Sequence, residues 1–416
     1  MSVFDAAAIL VTATALFAFV NARLLKLPTP IGVTLAALII SLGLVLFGGP
    51  EVAAWADQVL ATLDFDDLVL QGLLAYLLFA GALVVDLEKL TRQAGPVLAL
   101  STIGIVTSTL LVGALTWLMG GLLGLELSFG HALLFGALIS PTDPIAVLAI
   151  LRRAGVPKDT ETLITGEALF TDGVGVVVFT VVLAAVTGEG NAEAGLGPVA
   201  LLFVRETLGG LAFGLVLGLA AYALLNQIDD YATEILLTLA VVTGGYAAAS
   251  ALHTSGPLTV VVAGLFIGNH GRMLAMSPRT REHLDTFWEL ADEVINALLF
   301  VLIGIEVLVL KFTALTVEAA LLAIPLVLLA RTVAVALPIG LFRLKRNFAP
   351  YTTRLLVWGG LRGGISIALA LSLPAGPHRD VILTMTYGVV VFSILVQGLT
   401  VGALAVRGKQ AREAAA

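Results

Sequence analysis

The sequence predicts an all-α membrane protein of about thirteen transmembrane helices, and three observations lead there. The chain of 416 residues is 59% hydrophobic and only 12% charged, with a mean hydropathy of +1.05, which is too apolar for a soluble globule of this length. Windows of about 20 apolar residues, the length that crosses a bilayer, recur thirteen times. Basic residues crowd onto alternate loops, as the positive-inside rule requires of a polytopic chain.

The first window, 3–21, begins VFDAAAILVTATALFAFV. No basic residue precedes it and Arg23 and Lys26 follow, so it is read as a retained span and not a cleaved signal. Further windows lie at 30–48, 68–88, 95–120, 129–151, 160–187, 199–225, 231–251, 255–268, 283–309, 316–340, 354–374 and 381–405, the ninth being short. Arg23, Lys26, Lys89, Arg92, Arg152, Arg153, Lys158, Arg272, Arg279, Arg281, Arg343, Lys345, Arg346, Arg407, Lys409 and Arg412 fall on one side. Only Lys311 and Arg379 fall in loops on the other, and the long loop GGPEVAAWADQVLATLDFDD has no Lys or Arg. The amino terminus is therefore expected outside and the carboxyl tail in the cytoplasm, in a multi-pass protein of the cytoplasmic membrane. The membrane domain is expected over 1–405, with a short tail at 406–416 and no soluble domain. The absence of cysteine excludes disulfides, thiolate metal sites and cysteine nucleophiles.

LLFAGALVVDL at 77–87 echoes LLFVLIGIEVL at 298–308, an offset of 221 between Phe79 and Phe300, and Asp143 stands 219 before Arg362. Seven spans is an odd shift, so the second copy is inverted, an arrangement common among secondary transporters. Repeat one is expected over about 3–187, a linker helix over about 199–225 and repeat two over about 231–405.

Two spans carry breaks with a charge inside them. In SPTDPIAV, Pro141 leaves the carbonyl of Ala137 without its helical donor and Pro144 does the same to Ser140. The helix should open near Thr142 and Asp143, which bilayer depth tolerates only inside protein or beside water. In VWGGLRGGISIALAL, Gly359, Gly360, Gly363 and Gly364 surround Arg362, freeing the backbone there. A packing kink explains one such break; two, at corresponding places of two halves, point to a transport site.

The sixth span, ETLITGEALFTDGVGVVVFTVVL, holds Glu167 and Asp172. An intramembrane carboxylate costs at least about 2.5–3.5 kcal/mol, so each needs a partner or a proton. Residues five apart on a helix diverge by about 140°, so the two acids serve different faces, while Thr171 shares the side of Glu167. Arg331, deep in the eleventh span, is the natural partner for Glu167, giving a neutral bidentate pair that locks two helices. Asp172 and Asp143 then remain, repelling one another in a poorly solvated place. A carboxylate that holds a proton or a cation, but not both, is a device for exchange. Hard monovalent cations want oxygen ligands, and Ser140, Thr142 and Asp143 offer hydroxyl, carboxylate and freed carbonyls together. No cluster suits a transition metal. His131, His253, His270, His283 and His378 lie in or near loops in ordinary solvated roles, and Asp86, Glu234 and Glu306 near span ends are flanking charges.

ISPTDPIAV, TGEALFTDGVGVVVF, LLFVLIGIEV, LLARTVAVALP and WGGLRGGISIALAL together resemble the signature segments of the cation:proton antiporter-1 family, bacterial sodium/proton antiporters similar to animal sodium/proton exchangers. The resemblance runs over nearly the whole chain. It implies a thirteen-span inverted repeat, two crossed broken helices, a homodimer, and an elevator-like movement of the ion-carrying core. Carried over residue by residue, it implies Asp172 as the shared carrier of cation and proton, and Thr142 and Asp143 beside it. It also implies Glu167 paired with Arg331, and Arg362 in the second broken helix. Two positions depart from the pattern: Thr171 stands where the family usually has Asn, and Ala168 where it usually has Ser. Ala168 removes one ligand, and a neutral Thr171 resembles the electroneutral branch.

The expectation is thus a secondary active antiporter, not an enzyme, exchanging Na+ (alternatively Li+ or K+) for H+ in a lipid bilayer. It would work without a cofactor or a nucleic-acid partner. Two acids on consecutive spans raise an intramembrane aspartyl protease as an alternative, but neither its G-x-G-D sequence nor its Pro-Ala-Leu mark occurs. A channel would conduct without any proton requirement.

Overall fold

Every predicted span falls on helix in the computed structural model, which describes residues 2–47, 68–143, 145–188, 196–308, 312–344, 346, 348–349 and 351–413 and the single positions 49, 62 and 310. Pro144, Lys311, Lys345 and most of the long loop free of basic residues lie outside the described residues. Nineteen α-helices follow in order among the described residues. They are α1 (Val3–Val20), α2 (Thr29–Phe47), α3 (Leu74–Leu83), α4 (Leu87–Arg92), α5 (Ala94–Ala99), α6 (Ile105–Leu123), α7 (Phe129–Ile139), α8 (Ile145–Ala154), α9 (Lys158–Thr187) and α10 (Leu196–Leu225). There follow α11 (Tyr231–Ala251), α12 (Gly256–Phe266), α13 (Arg272–Ala275), α14 (Pro278–Glu306), α15 (Ala314–Arg343), α16 (Thr352–Trp358), α17 (Gly364–Leu371), α18 (Pro377–Phe392) and α19 (Gly398–Glu413). Wider π turns at Leu100–Gly104 and Ser393–Gln397 join α5 to α6 and α18 to α19 without interrupting the rod.

The ends are written in the sequence. Side chains of Ser2, Ser128, Asp230, Ser255, Ser277 and Thr313 accept the first free N–H groups of α1, α7, α11, α12, α14 and α15. Gly124 and Gly188 close α6 and α9 at φ 72° and 75°, where other residues are strained. Among the described residues, seven continuous helices are each long and apolar enough to cross a bilayer alone. Of the other six predicted spans, two are broken in mid-course, the ninth is short, the second and third adjoin residues outside the described ones, and the first half of α14 carries Arg279, Arg281, Glu282, Asp285 and Glu289.

Helices α6 and α7 pack together most extensively, followed by α10 with α12, α15 with α18, α3 with α12 and α15 with α6. Two apolar clusters fill the interior: one around Phe135, Leu138, Phe300, Ile367 and Met385, the other around Phe79, Leu163, Val260, Trp288 and Leu355. Several elements pass from one cluster to the other, among them α7–α8 between Ile139 and Val147, α9 between Leu169 and Val174, α15 between Ala330 and Val335, and α16–α17 between Leu361 and Ile367. The polar residues of the candidate site occupy those passages.

The expected flanking charges are corrected in part. Asp86 does cap α4 at the surface, pairing with Lys89 at 2.6 Å. Glu234 and Glu306, however, are buried, at 0% and 3% exposure. The polar half of α14 lies over α11, with the Thr280 hydroxyl donating to Asp229 (3.3 Å) and the Trp288 indole to Thr238 (3.1 Å), and so covers Glu234. Glu306 ends α14 beside Tyr387, whose hydroxyl donates to the carbonyl of Ile303 (2.9 Å).

Close backbone approach makes α6–α7 sensitive to side-chain bulk. A Cβ on Gly136 would stand 3.0 Å from the Gly113 nitrogen and 3.1 Å from the Thr109 carbonyl carbon. Gly136→Val is expected to cost about 1–3 kcal/mol and to lower the melting temperature in detergent, whereas Gly43→Ala, with nothing within 4 Å, keeps or raises it. Equal melting of wild type and Gly136→Val would refute the close crossing.

Candidate ion-exchange site

The fifth span stops being helical where its prolines dictate. Helix α7 ends at Ile139 and α8 resumes at Ile145. The twelfth span breaks likewise between α16 and α17. The two breaks meet: the Asp143 N–H donates to the carbonyl of Leu361 at 2.9 Å, an isolated antiparallel bridge between unwound segments. Arg362 reaches the other way. Its Nη1 donates to the carbonyls of Ser140 (2.6 Å) and Pro141 (2.7 Å), so the carbonyl that Pro144 cannot serve finds its donor in the other half of the chain. The backbone N–H of Arg362 is held in turn by the Ser393 hydroxyl at 2.9 Å.

A guanidinium at the carboxyl end of α7 meets the negative end of that half-helix. The reciprocal contact exists too, since the Asp143 carboxylate occupies the space that a Cβ on Gly363 would need, at the amino end of α17. Gly360 is required for a similar reason: a Cβ there would stand 2.7 Å from Nε and 2.8 Å from Nη2 of Arg331.

Helix α9 brings the remaining groups. Arg331 on α15 donates from Nη1 to Oε1 of Glu167 (2.5 Å) and from Nη2 to Oε2 (3.0 Å), and Nη2 also donates to the carbonyl of Leu356 (2.9 Å). The pair is bidentate and both residues are buried, at 2% and 6% exposure. It also pins α9 and α15 to the end of α16. One turn on, the Thr171 hydroxyl lies 3.3 Å from that of Thr142 and donates to the carbonyl of Ala168 at 3.0 Å. Thr142, Asp143, Glu167, Ala168, Arg331 and Gly360 line one narrow cleft. Asp172 is not among the residues lining that cleft and is 6% exposed. Its Oδ1 has no hydrogen-bond partner among the described residues, and Asp143 and Arg362 are its charged neighbours. Gly173 and Gly175 admit Leu258 of α12 and Pro141 against the same stretch of helix.

The structure therefore brings Thr142, Asp143, Thr171, Glu167, Arg331, Arg362 and Asp172 to one level. Ser140 joins through its carbonyl only. Its hydroxyl donates to the carbonyl of Gly136 (2.6 Å), lies 2.8 Å from the Ser108 hydroxyl, from which it can accept, and turns toward α6, away from Thr142 and Thr171. Sequence reasoning missed two residues on α14. Asp292 lies within electrostatic range of Asp143. Asn296, one turn further, is 4% exposed, donates to the carbonyl of Asp292 (2.8 Å), and keeps an Oδ1 without a partner among the described residues. A legible signal existed: an Asn inside the apolar run VINALLF with an Asp four residues before it on the same face.

The transmembrane sodium/hydrogen exchanger family matches residues 9–407. The Na(+)/H(+) antiporter NhaP of Pseudomonas aeruginosa is 47% identical over 407 residues, 96% of each chain. The Na(+)/H(+) antiporter NhaH of Halobacillus dabanensis is 34% identical over 91% of each. Among solved structures, the sodium proton antiporter MjNhaP1 from Methanocaldococcus jannaschii superposes with a TM-score of 0.75 at 22% identity, covering 98% of this chain and 99% of that one. That likeness establishes the fold.

Removing one member of a buried ion pair strands the other, at a cost of about 3–5 kcal/mol. Glu167→Ala and Arg331→Ala are each expected to lose that much stability, and the double replacement less than the sum. Strict additivity in detergent melting would remove the pairing from the energetics.

Proposed function

The chain belongs to the transmembrane sodium/hydrogen exchanger family, a family of transporters, and from that premise we propose that it exchanges Na+ for H+ at Asp172 as a secondary active antiporter. One observation carries the assignment to this residue: a buried carboxylate oxygen with no partner among the described residues, beside two unwound helices. Glu167 is already neutralised by Arg331. Arg362 is already committed to two carbonyls. Asp172 is the acid left to be neutralised by whatever enters.

Proton and cation satisfy it in mutually exclusive ways. A proton on Asp172 removes the charge outright. A monovalent cation balances it and needs further oxygens, for which Asp143 and the hydroxyls of Thr142 and Thr171 are the candidates. Because Thr171 adds no charge beside Asp172, one cation replaces one proton and exchange is electroneutral. Asp292 and Asn296 extend the line of oxygens along α14 and form the approach from the cytoplasmic side. The basic side of the protein faces the cytoplasm, with the amino terminus outside and the protein in the cytoplasmic membrane. The chain is built of repeat one (about 3–187) and repeat two (about 231–405), joined by a linker helix at about 199–225, and an ion-carrying core moves elevator-like against a dimerisation domain to expose the site alternately. The working unit is a homodimer.

In proteoliposomes carrying a pH gradient, Asp172→Asn is expected to abolish dissipation on addition of Na+, Li+ or K+, while clamping the membrane potential leaves the wild-type rate unchanged. Retained exchange would place the carrier elsewhere, and dependence on the clamp would overturn one-for-one exchange. Competition also fixes a pH law: where protons dominate, the apparent KM for the cation rises about tenfold for each unit of acidification. A pH-independent KM would exclude a shared site. Asp292→Asn and Asn296→Ala should raise the KM for cation added on the cytoplasmic face with kcat preserved; equal loss on both faces would instead mark them as parts of the central site.

A further inference from the structure

Far from the crossing, the ends of α7 and α18 carry a pair of histidines with no part in the exchange reading. His131 lies in the first turn of α7 and His378 in the first turn of α18, and their ring centroids are 4.2 Å apart with planes tilted by 38°. Both rings are half-buried, at the end of the bundle that faces outward in the orientation proposed above. Ser128 fixes one of them: its hydroxyl accepts from the backbone N–H of His131 (3.3 Å) and lies 2.7 Å from Nδ1. With Nδ1–H donating to that hydroxyl, the ring presents the lone pair of Nε2, the tautomer that a metal ligand needs, and a donor on the far ring nitrogen is the usual support of such a ligand. The cationic neighbour Arg379 is occupied elsewhere, donating to the carbonyl of Leu371 at 2.8 Å.

We propose that His131 and His378 form a two-histidine site for a divalent ion of the zinc, nickel and copper group, entered from the outer solution, and that metal bound there slows exchange. Imidazole suits these ions. With Zn–N bonds of about 2.0–2.1 Å, two nitrogens on a tetrahedral ion stand roughly 3.3 Å apart, within reach of side-chain rotation from the observed stack. Among the described residues no group of three His, Asp or Glu gathers to hold a metal, so water completes the coordination. The slowing follows from where the two helices lead. From His131, α7 runs to the break whose carbonyls hold Arg362, and from His378, α18 runs to Ser393, which holds the backbone of Arg362. A metal clip ties together the outer ends of both. Slowing presupposes the antiport reading; metal binding does not.

The test titrates zinc chloride into the purified, chelator-treated full chain by calorimetry. One zinc per chain is expected, weakened at least tenfold by His131→Ala and by His378→Ala and unaltered by His270→Ala. In proteoliposomes, zinc should slow Na+-driven exchange by the wild type, a chelator should restore it, and the two substituted proteins should exchange at the wild-type rate with or without zinc. No binding, or binding that survives either substitution, overturns the site. Binding that depends on both histidines while exchange ignores zinc overturns the brake and supports the site. A wild type that binds zinc but exchanges no cation would count against the antiport reading and support the site, because calorimetry reads binding without transport.

Discussion

Arg362 donating to the carbonyls of Ser140 and Pro141 is the contact on which the centre of this protein depends. Lipid supplies no hydrogen bonds, so a helix can be opened at mid-membrane only if each freed group finds a protein partner. Prolines open the first break and strip donors from its carbonyls. One of them, that of Ser140, is then served together with the Pro141 carbonyl by a side chain from the second break, and the second break's Leu361 carbonyl is served by the Asp143 N–H. Neither opening is tenable without the other. The crossing thereby places Thr142 and Asp143 beside α9 at a fixed depth, and polar chemistry becomes possible inside an apolar body.

Charge is divided so that one group is left over. Four ionisable side chains meet near the crossing along with Asp172: Glu167, Arg331, Arg362 and Asp143. Glu167 and Arg331 cancel one another through two hydrogen bonds, and their geometry is tied to the backbone at Leu356. Arg362 faces the negative end of α7, and Asp143 lies at the amino end of α17, each against the helix dipole it complements. Asp172 has neither a bidentate partner nor a helix end, and its Oδ1 has no hydrogen bond among the described residues. A residue so placed is left in demand of neutralisation, which in the proposed exchange a proton or a small cation meets, because its neighbours are committed to other partners.

Much of this was readable from residue types alone. The breaks announced themselves because Pro and clustered Gly have few other uses inside a span, and the pair Glu167 and Arg331 because each is costly without an opposite charge. What pattern could not show was direction. Ser140 is a hydroxyl next to a broken helix, yet it back-bonds to Gly136 and turns to Ser108, which spacing does not encode. Glu234 and Glu306 sit near span ends, where hydropathy assigns them to the interface, but the polar half of α14 and Tyr387 cover them. Asp292 and Asn296 escaped notice for the opposite reason: α14 begins so rich in charge that two more polar residues look like its continuation.

The two breaks are related by inverted position but not by composition, and the difference has a physical cause. The first contributes Thr142 and Asp143, side chains with oxygen, and uses proline to open the helix because proline leaves those neighbours intact. The second must receive what the first and α15 project. A side chain on Gly360 would collide with the Arg331 guanidinium, and one on Gly363 with the Asp143 carboxylate. Glycine is demanded there by space as well as by backbone freedom. The first break therefore projects the oxygen-bearing side chains and the second is the cradle that receives them, holding a single arginine to complete the crossing. Ala168, lining the same cleft as Thr142 and Asp143, takes a hydroxyl away from the α9 wall. The proposed coordination therefore rests more heavily on the threonine pair, whose two hydroxyls stand 3.3 Å apart.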